Sequence, residues 1–174
     1  MSVAASRSIA PIEAAVEAPS CRVARSAEER AAHFAVRREV FVVEQRLFSP
    51  DDRDEFDDAG STLHAIGATG SVTGGAVRLY PLGDNGLLWK GDRLAVLPAH
   101  RHGALGASLV RFAVATAGAL GGERMVAMIQ LPNVPFFRLL GWRESAAVRA
   151  YRGVAHQPME IALRPPAGVS PRAR

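Results

Sequence analysis

The sequence predicts one α/β domain built on a mixed sheet, and two patterns carry this prediction. Residues 63–69 and 75–82 are apolar segments joined by a glycine-rich turn, which is typical of an antiparallel hairpin. A strand over residues 88–97 is followed by a helical run over residues 105–120 and by an apolar strand over residues 125–129. A hairpin followed by a strand–helix–strand unit favours a mixed sheet with helices on its faces.

Local signals place the other elements. Residues 21–25 alternate as a short strand, and Ser26 with Glu29 three positions later forms a capping box that begins a helix. Gly121 and Gly122 end the long helical run. The first helix is expected to present one apolar stripe, formed by Ala31, Phe34, Ala35 and Val42. The remaining predicted elements are a short helix over residues 135–140 and a final strand over residues 159–163.

Length and composition indicate a single domain. The chain has 174 residues and 18.5 kDa, with 48% hydrophobic and 22% charged residues, as in an ordinary globular protein. Residues 1–19 and 165–174 build no periodic apolar face, so we expect a flexible N-terminal segment and a flexible C-terminal tail around one domain at residues 20–164. No window approaches the roughly 20 apolar residues that span a bilayer, and no secretory signal is visible. We therefore expect a cytoplasmic protein with no membrane partner.

The charge pattern and the positions of cysteine and histidine argue against a nucleic-acid-binding, disulfide-bonded or metal-binding protein. The 21 basic residues only slightly exceed the 17 acidic ones, and the arginines are scattered along the chain, so nucleic acid is not the expected partner. The single cysteine, Cys21, can form neither an internal disulfide nor a thiolate zinc site. His100 and His102 have no further ligands beside them, so we expect no metal.

The most informative segment is the turn that leads into the long helix. A strand that ends at Pro98 and re-enters a helix through Gly103, Ala104 and Gly106 leaves unpaired backbone N–H groups at the helix N-terminus. Those groups and the helix dipole favour a phosphate or pyrophosphate, and Arg101 adds a permanent positive charge. The segment matches neither the GxxxxGK[ST] loop nor the GxGxxG dinucleotide loop.

Three ordered motifs resemble the GNAT superfamily of acyl-CoA-dependent N-acyltransferases. Residues 101–106, RHGALG, resemble its [RQ]-x-x-[GA]-x-[GA] pyrophosphate loop, and residues 135–142, PFFRLLGW, resemble its late PFYxxLGF block. Residues 40–45, VFVVEQ, resemble a segment of a small bacterial branch. The resemblance spans roughly residues 21–164. It implies a GNAT-like fold, with a mostly antiparallel sheet, helices on both faces and one parallel strand pair that splays apart.

The resemblance also implies a donor site and a direct transfer. Pantetheine of acetyl-CoA, or of another acyl-CoA, would lie between residues 94–96 and 127–130, with the Val96 N–H polarising the thioester carbonyl. The amine would attack without an enzyme nucleophile. The implied donor-binding residues are Leu94, Ala95, Val96, Arg101, His102, Gly103, Ala104, Leu105, Gly106, Ala107, Asn133, Phe136 and Phe137.

The acceptor amine must lose a proton before it attacks, which requires a base. Glu44 is the first candidate, because it follows an apolar stretch where desolvation would raise its pKa, and His64 is the second. An ordinary surface charge and a structural histidine are the alternatives at these two positions. Phe137 departs from the family pattern, because a tyrosine there often protonates the leaving thiolate.

An acidic segment and two polar side chains are candidates for binding the amine. Asp54 and Asp57 belong to a run of six carboxylates in residues 51–58, which is either a solvated loop or a field that attracts a cationic amine. Arg78 would pair with these acids or bind a substrate carboxylate, and Gln130 lies at the far end of the expected gap.

The predicted function is therefore transfer of an acyl group, acetyl by default, from acyl-CoA to a small-molecule amine. Three alternatives stay open: a homoserine-lactone-synthase-like enzyme that uses acyl carrier protein, a non-catalytic acyl-CoA-binding module suggested by Phe137, and a nucleic-acid-binding domain. The sequence does not specify the acceptor, whose pocket falls in the loops of residues 45–61 and 143–156. Dimers are common in the family that the chain resembles, so the resemblance also implies a homodimer as a candidate assembly.

Overall fold

One eight-stranded sheet organises residues 17–163, the part of the chain that the computed structural model describes. The strands are β1 (Ser20–Val23), β2 (Leu63–Thr69), β3 (Val72–Leu82), β4 (Leu88–Val96), β5 (Arg124–Gln130), β6 (Arg143–Glu144), β7 (Arg149–Tyr151) and β8 (Val154–Ala162). The α-helices are α1 (Ala27–Arg37), α2 (Leu105–Ala119) and α3 (Val134–Leu139). The flexible segments expected at the two termini lie outside the described residues, apart from residues 17–19.

The strand order confirms the predicted mixed sheet. The order is β1-β2-β3-β4-β5-β8-β6, with β7 paired to β8, and every pairing is antiparallel except β4 with β5. Strand β2 has the predicted limits, whereas β8 begins five residues earlier than predicted. The sequence analysis missed β6 and β7, because these two- and three-residue strands are exposed and carry no apolar alternation. No helix among residues 17–163 is long and apolar enough to span a membrane.

The first helix begins as predicted and ends differently. Ser26 Oγ accepts a hydrogen bond from the Glu29 N–H at 3.2 Å, and the Glu29 carboxylate accepts one from the Ser26 N–H at 3.4 Å, which completes the capping box. The α-helix ends at Arg37, and the chain continues as a π-helix over Arg38–Glu44. The predicted stripe was wrong: Ala31 and Ala35 are exposed, α1 buries His33, Val36 and Arg37 instead, and Val42 lies in the π-helix, whose wider turns change the side-chain period.

Apolar clusters cover both faces of the sheet, as predicted. Val77 and Leu79 of β3 pack in the larger cluster with the buried residues of α2. Ala76, whose side chain alternates to the opposite face, packs in a second cluster with Val40 and Phe41 of the π-helix. Side chains of Arg78 and Tyr80 share that second face, so the sheet buries charge beneath the first helix.

The parallel strands β4 and β5 separate soon after they meet. They pair only at residues 88–90 of β4 and 124–126 of β5. Beyond that point β4 carries a bulge opposite Val77, where Arg93 has a φ of 51°. The splayed pair predicted from the family resemblance is thus present, and it opens a gap in the middle of the sheet.

Candidate active site

A cavity of about 630 Å³ occupies the gap between β4 and β5. One wall is formed by residues 90–94 of β4, and the facing wall by residues 127–130 of β5. The loop around residues 45–56 and the β7–β8 hairpin lie over one end, and Asn133 with Phe137 lie at another. This volume is in the ordinary range for small-molecule pockets.

Beyond residue 90, the edge of β4 that faces the gap has backbone groups that pair with no neighbouring strand. The Leu97 N–H donates to the Gly74 carbonyl of β3 at 2.8 Å. Because successive N–H groups of a strand point to opposite edges, the N–H groups of Leu94 and Val96 point away from β3 and towards the gap. The Val96 carbonyl lies on the same edge and accepts a hydrogen bond from Arg101 Nε at 2.9 Å. Leu94 lines the cavity itself, whereas Val96 lies nearer the start of α2.

The N-terminus of α2 is uncapped. No side chain bonds to its first-turn N–H groups, and no acidic residue lies in its first turn. The four residues that precede the helix, 101–104, are exposed, and open space surrounds Gly103. A Cβ at Gly106 would lie 3.7 Å from both Phe136 and Val96, an ordinary van der Waals contact, so these two side chains pack beside the first turn. Free donors at the positive end of a 15-residue helix fit a pyrophosphate group.

Two predicted donor-binding side chains instead belong to the core. Leu105 is 1% exposed and packs against β2 and β3, so only its backbone N–H is available to a ligand. Ala95 is also 1% exposed and lies in the cluster under the first helix. Both placements follow from the alternation of side chains around the helix start and along the strand, and they concern the side chains rather than the backbone groups.

Glu44 and Arg101 form an ion pair rather than two independent site residues. The Arg101 guanidinium contacts both carboxylate oxygens of Glu44, at 2.6 and 2.5 Å, and each side chain is 37% exposed. Hydrogen bonds from Arg101 hold the pKa of Glu44 below its ordinary value, which is opposite to the expected rise. Glu44 does not line the cavity, although its neighbour Gln45 does and accepts a hydrogen bond from Gln130 at 3.1 Å.

The predicted amine-binding carboxylates are held by buried arginines. Asp57 is 2% exposed, lies outside the cavity lining and accepts hydrogen bonds from Arg37 at 2.5 and 3.0 Å. Arg78 is fully buried and binds both oxygens of Asp54, at 2.5 and 3.0 Å, and both oxygens of Asp92, at 2.8 Å. Asp54 does line the cavity, but Arg93 also binds it at 3.0 Å.

Those ion pairs lower the pKa values of both carboxylates, Asp54 and Asp57. Burial acts to raise the pKa of Asp57, but hydrogen bonds and charge from Arg37 outweigh it and hold the pKa below its ordinary value. The pKa of Asp54 is lowered in the same way by Arg78, against the opposing effect of burial. The part of the acidic segment formed by Asp54 and Asp57 is therefore an internal framework rather than a solvated loop.

His64 has a structural environment that removes it from the cavity. It is 2% exposed, its Nε2 lies 3.1 Å from the Asp57 carbonyl, and its Nδ1 lies 3.2 Å from His33 Nε2. Burial lowers the pKa of His64, and it lowers the pKa of His33 to about 3. His64 does not line the cavity, so the structural alternative describes it better than the role of a base.

Phe137 and Trp142 form the apolar end of the cavity. Their rings contact edge to face at 5.4 Å, and both side chains are buried. The Trp142 Nε1–H is buried without a hydrogen-bond partner among the described residues. Asn133 is exposed beside them and also lines the cavity.

Sequence reasoning missed five cavity residues on the β7–β8 hairpin: Arg149, Ala150, Tyr151, Arg152 and His156. His156 is 6% exposed, and its Nδ1 lies 2.8 Å from the Val154 carbonyl. A carbonyl oxygen can only accept, so Nδ1 is the donor, and in the neutral imidazole Nε2 is then the acceptor. Its partners across the sheet are Gln130 of β5 and Arg149 of β7. The sequence analysis recognised this segment only as a loop, because no motif marks it.

Among residues 17–163 no three His, Cys, Asp or Glu side chains are grouped so that they could hold a metal ion.

Comparison with known proteins now assigns the fold and motifs to a family. A sequence model of the Acetyltransferase (GNAT) family matches residues 30–142, which include the β4–β5 gap and the start of α2. The chain belongs to the GNAT family. Its members transfer acyl groups, so this chain is assigned to the acyltransferases. A search of curated protein sequences gives no significant match.

Solved structures agree with the family assignment. A provisionally assigned N-acetyltransferase from Lactobacillus plantarum is 25% identical, with a TM-score of 0.73, covering 84% of this chain and 99% of that one. An acyl-CoA N-acyltransferase from Pseudomonas aeruginosa is 22% identical, with a TM-score of 0.70, covering 82% of this chain and 97% of that one. A CoA-dependent acyl-homoserine lactone synthase, BjaI, is 20% identical, with a TM-score of 0.65, covering 76% of this chain and 75% of that one. The last two resemblances concern the fold, which this GNAT chain shares with both kinds of enzyme.

Proposed function

We propose that the protein is an acyl-CoA-dependent N-acyltransferase that transfers an acyl group, acetyl in the simplest case, to the amine of a small molecule. One observation carries the proposal: the gap between β4 and β5 holds a cavity, and the uncapped start of α2 follows directly from the end of β4. A ligand with an anionic head and a long, thin, partly polar arm fits a site of this shape.

The head of the donor binds at the start of α2. The backbone N–H groups of Leu105, Gly106 and Ala107 lie in the uncapped first turn, where they bind phosphate oxygens. His102, Gly103 and Ala104 form the exposed approach to that turn. Arg101 contributes to the local field, although Glu44 balances most of its charge.

The arm of the donor follows the open edge of β4. The N–H groups of Leu94 and Val96 point into the gap, where they bind the amide groups of the arm and the thioester carbonyl. A preorganised N–H at the carbonyl oxygen stabilises the negative charge that develops there, by up to about 3 kcal/mol in a dry site. Asn133, Phe136 and Phe137 complete the donor side.

The acceptor amine attacks the carbonyl carbon directly, and His156 removes its proton. Nδ1 of His156 is fixed by the Val154 carbonyl, so Nε2 has a lone pair for the amine proton. Neither Glu44 nor His64 offers a comparable acceptor atom in the cavity. The leaving thiolate takes its proton from water, because Phe137 has no hydroxyl group at the position of the family tyrosine.

The proposal is tested by measuring acyl-CoA binding and amine-dependent release of CoA in the same preparation. Acetyl-CoA, longer acyl-CoAs, CoA, NAD and ATP are titrated while the unfolding midpoint is followed, because a ligand of the native state stabilises it by mass action. Selective stabilisation by acyl-CoAs, followed by thiol release with an amine panel, is the expected result. No stabilisation by any CoA species would overturn the proposal.

An Ala104→Asp variant makes the binding test specific for the start of α2. A carboxylate there repels phosphate but suits the positive end of the helix, so the unfolding midpoint should not fall. Ala104→Ser is the uncharged control. We expect acyl-CoA binding to weaken at least about tenfold in Ala104→Asp and much less in Ala104→Ser, a difference of about 1.4 kcal/mol.

The same assays separate the alternatives. Binding of acyl-CoA without thiol release for any amine indicates a non-catalytic binding module. Turnover with an acyl carrier protein thioester, but not with acyl-CoA, indicates an enzyme of the homoserine-lactone-synthase type. Strong salt-dependent binding to random duplex DNA would instead support the nucleic-acid alternative.

A further inference from the structure

Charged side chains line the end of the cavity at the β7–β8 hairpin and residues 53–55, here called the acceptor end, and they are unequally paired. Two lining carboxylates are neutralised, because Arg78 binds both Asp54 and Asp92 and Arg93 also binds Asp54. Glu55 is the lining carboxylate that has no cationic group within 4.0 Å among residues 17–163. The cationic side is larger: three lining arginines have no carboxylate that close in the same part of the chain, namely Arg53, Arg149 and Arg152.

The unpaired arginines of the hairpin, Arg149 and Arg152, lie close to His156, the proposed base. Arg149 is the direct cross-strand partner of His156, so the two side chains share a face of the hairpin with Cβ atoms about 5 Å apart. The Arg152 guanidinium lies 4.3 Å from the centre of the Phe48 ring, which is buried beneath the acceptor end of the cavity. Arg53, in contrast, stacks over Phe34 on α1 at 3.8 Å.

Tyr151 lies between Arg149 and Arg152 in the sequence, and the direction of its pKa shift indicates the sign of the electrostatic potential there. Burial acts to raise the pKa of the Tyr151 phenol, but hydrogen bonding to Arg152 and the charge of Arg93 outweigh it and lower the pKa. Negative charge is therefore favoured at this end of the cavity, although Asp54 and Asp92 lie nearby.

We infer that the acceptor is an amine that carries its own carboxylate, an amino acid in the simplest case, and that Arg149 and Arg152 bind this carboxylate. The inference rests on the proposed function and names its substrate class. In an α-amino acid only one carbon separates the amine from the carboxylate, so a carboxylate held beside His156 places the amine within reach of Nε2. Glu55 suits the ammonium form of the incoming amine.

The cavity volume suits a small acceptor. About 630 Å³ must accommodate both the reacting end of the donor and the acceptor, which leaves room for a molecule the size of a single amino acid. Arginine is suited to this recognition, because its planar guanidinium binds carboxylates through two parallel hydrogen bonds.

Matched pairs of acceptors test the inference. Each natural amino acid is compared with its primary amide, which keeps the amine and side chain but lacks the carboxylate, and thiol release is measured with acetyl-CoA. We expect kcat/KM to be about ten- to a hundredfold higher for the acid, the effect of losing a charged hydrogen-bond pair. Equal rates for acids and amides would overturn the inference while leaving the N-acyltransferase proposal intact.

Variants of the hairpin test whether Arg149 and Arg152 cause the preference for acids over amides. Arg149→Gln and Arg152→Gln, singly and together, should raise KM for the acids about tenfold or more while acyl-CoA affinity is unchanged. Arg111→Gln is the matched control, because Arg111 is an exposed arginine of α2 outside this cavity. An acid preference that survives in the double variant would also overturn the inference.

A binding experiment keeps the inference testable without turnover. N-acetyl amino acids and their amides are titrated into the wild-type protein saturated with CoA. Tighter binding of the acids, lost in the double variant, supports the inference, and equal binding contradicts it. Absence of any acyl-CoA binding in the same preparation is a separate result, which contradicts the proposed function itself.

Discussion

The guanidinium of Arg101 contacts both carboxylate oxygens of Glu44 and so ties the end of the π-helix to the turn that precedes α2. The same side chain binds the Val96 carbonyl, at the open edge of β4. Gln45, the next residue after Glu44, bonds to Gln130 at the end of β5. Glu44 at the end of the π-helix and Gln45 just after it therefore make polar contacts towards the two sides of the gap, which gives both polar residues of the VFVVEQ segment a structural role.

Replacing Glu44 should affect donor binding rather than the chemical step. In Glu44→Gln the Arg101 charge is no longer balanced, so phosphate binding at the start of α2 should strengthen two- to fivefold, or about 0.4–1 kcal/mol, at low salt. The exposed pair contributes little to stability, so the free energy of unfolding should fall by less than about 1 kcal/mol.

Isothermal titration with acetyl-CoA at low and high salt measures this change. Glu39→Gln is the matched control, since Glu39 is an exposed glutamate of the same π-helix. A kcat reduced a hundredfold in Glu44→Gln, with unchanged donor affinity, would restore Glu44 as the base and contradict this prediction.

Substitution of His156 should remove proton transfer and spare donor binding. We expect His156→Ala to lower kcat about 10²- to 10⁴-fold, the usual contribution of a general base. Added imidazole should restore part of the rate, because it supplies the missing acceptor nitrogen to the space left in the cavity. Unchanged kcat in His156→Ala, or equal rates with and without imidazole, would show that another group takes the proton.

The fold was predictable because its signals are local and strong. The apolar run of β2 before a glycine-rich turn, the capping box at Ser26 and the glycine-rich start of α2 each depend on a few neighbouring residues. The π-helix was not predictable in this way, because its apolar residues also fit an α-helical stripe. The short strands β6 and β7 carry exposed residues and form only because β8 offers them an edge.

The candidate site was predictable on the donor side and not on the acceptor side. The donor side is built from backbone N–H groups, whose placement follows from the motif at residues 101–106. The acceptor side is built from side chains far apart in sequence, such as Asp54 with Arg78 and Tyr151 with Arg93. Which carboxylates are neutralised depends on those tertiary contacts, and so the expectation that Asp57 binds the amine could be corrected only from the structure.

The buried ion pair of Asp57 and Arg37 should matter for stability. Asp57→Asn removes a carboxylate that binds two nitrogens of a fully buried guanidinium, and breaking such a pair costs about 3–5 kcal/mol. Asp58→Asn, at an exposed position next to it, should change stability by less than about 0.5 kcal/mol. Urea unfolding of both variants measures the difference. Equal stabilities would show that Asp52 alone satisfies Arg37.

Two buried histidines should make the protein less stable in mild acid. The pKa of His33 is about 3 in the folded protein and 6.5 ordinarily, so between these values the unfolded chain binds a proton that the folded chain does not. Stability therefore rises with pH across this window and is fully present above pH 6.5. His64, whose pKa is also lowered by burial, acts in the same direction.

The size of this effect follows from the shift in His33. At about 1.4 kcal/mol per pH unit, lowering the pH from 6.5 to 5 should cost about 2 kcal/mol through His33, before the carboxylates begin to titrate. Urea unfolding at several pH values measures the slope. His33→Asn, whose amide can still donate to the Ala65 carbonyl, should flatten it, whereas His102→Asn at an exposed position should not. An unchanged slope in His33→Asn would mean that His33 is already protonated in the folded protein.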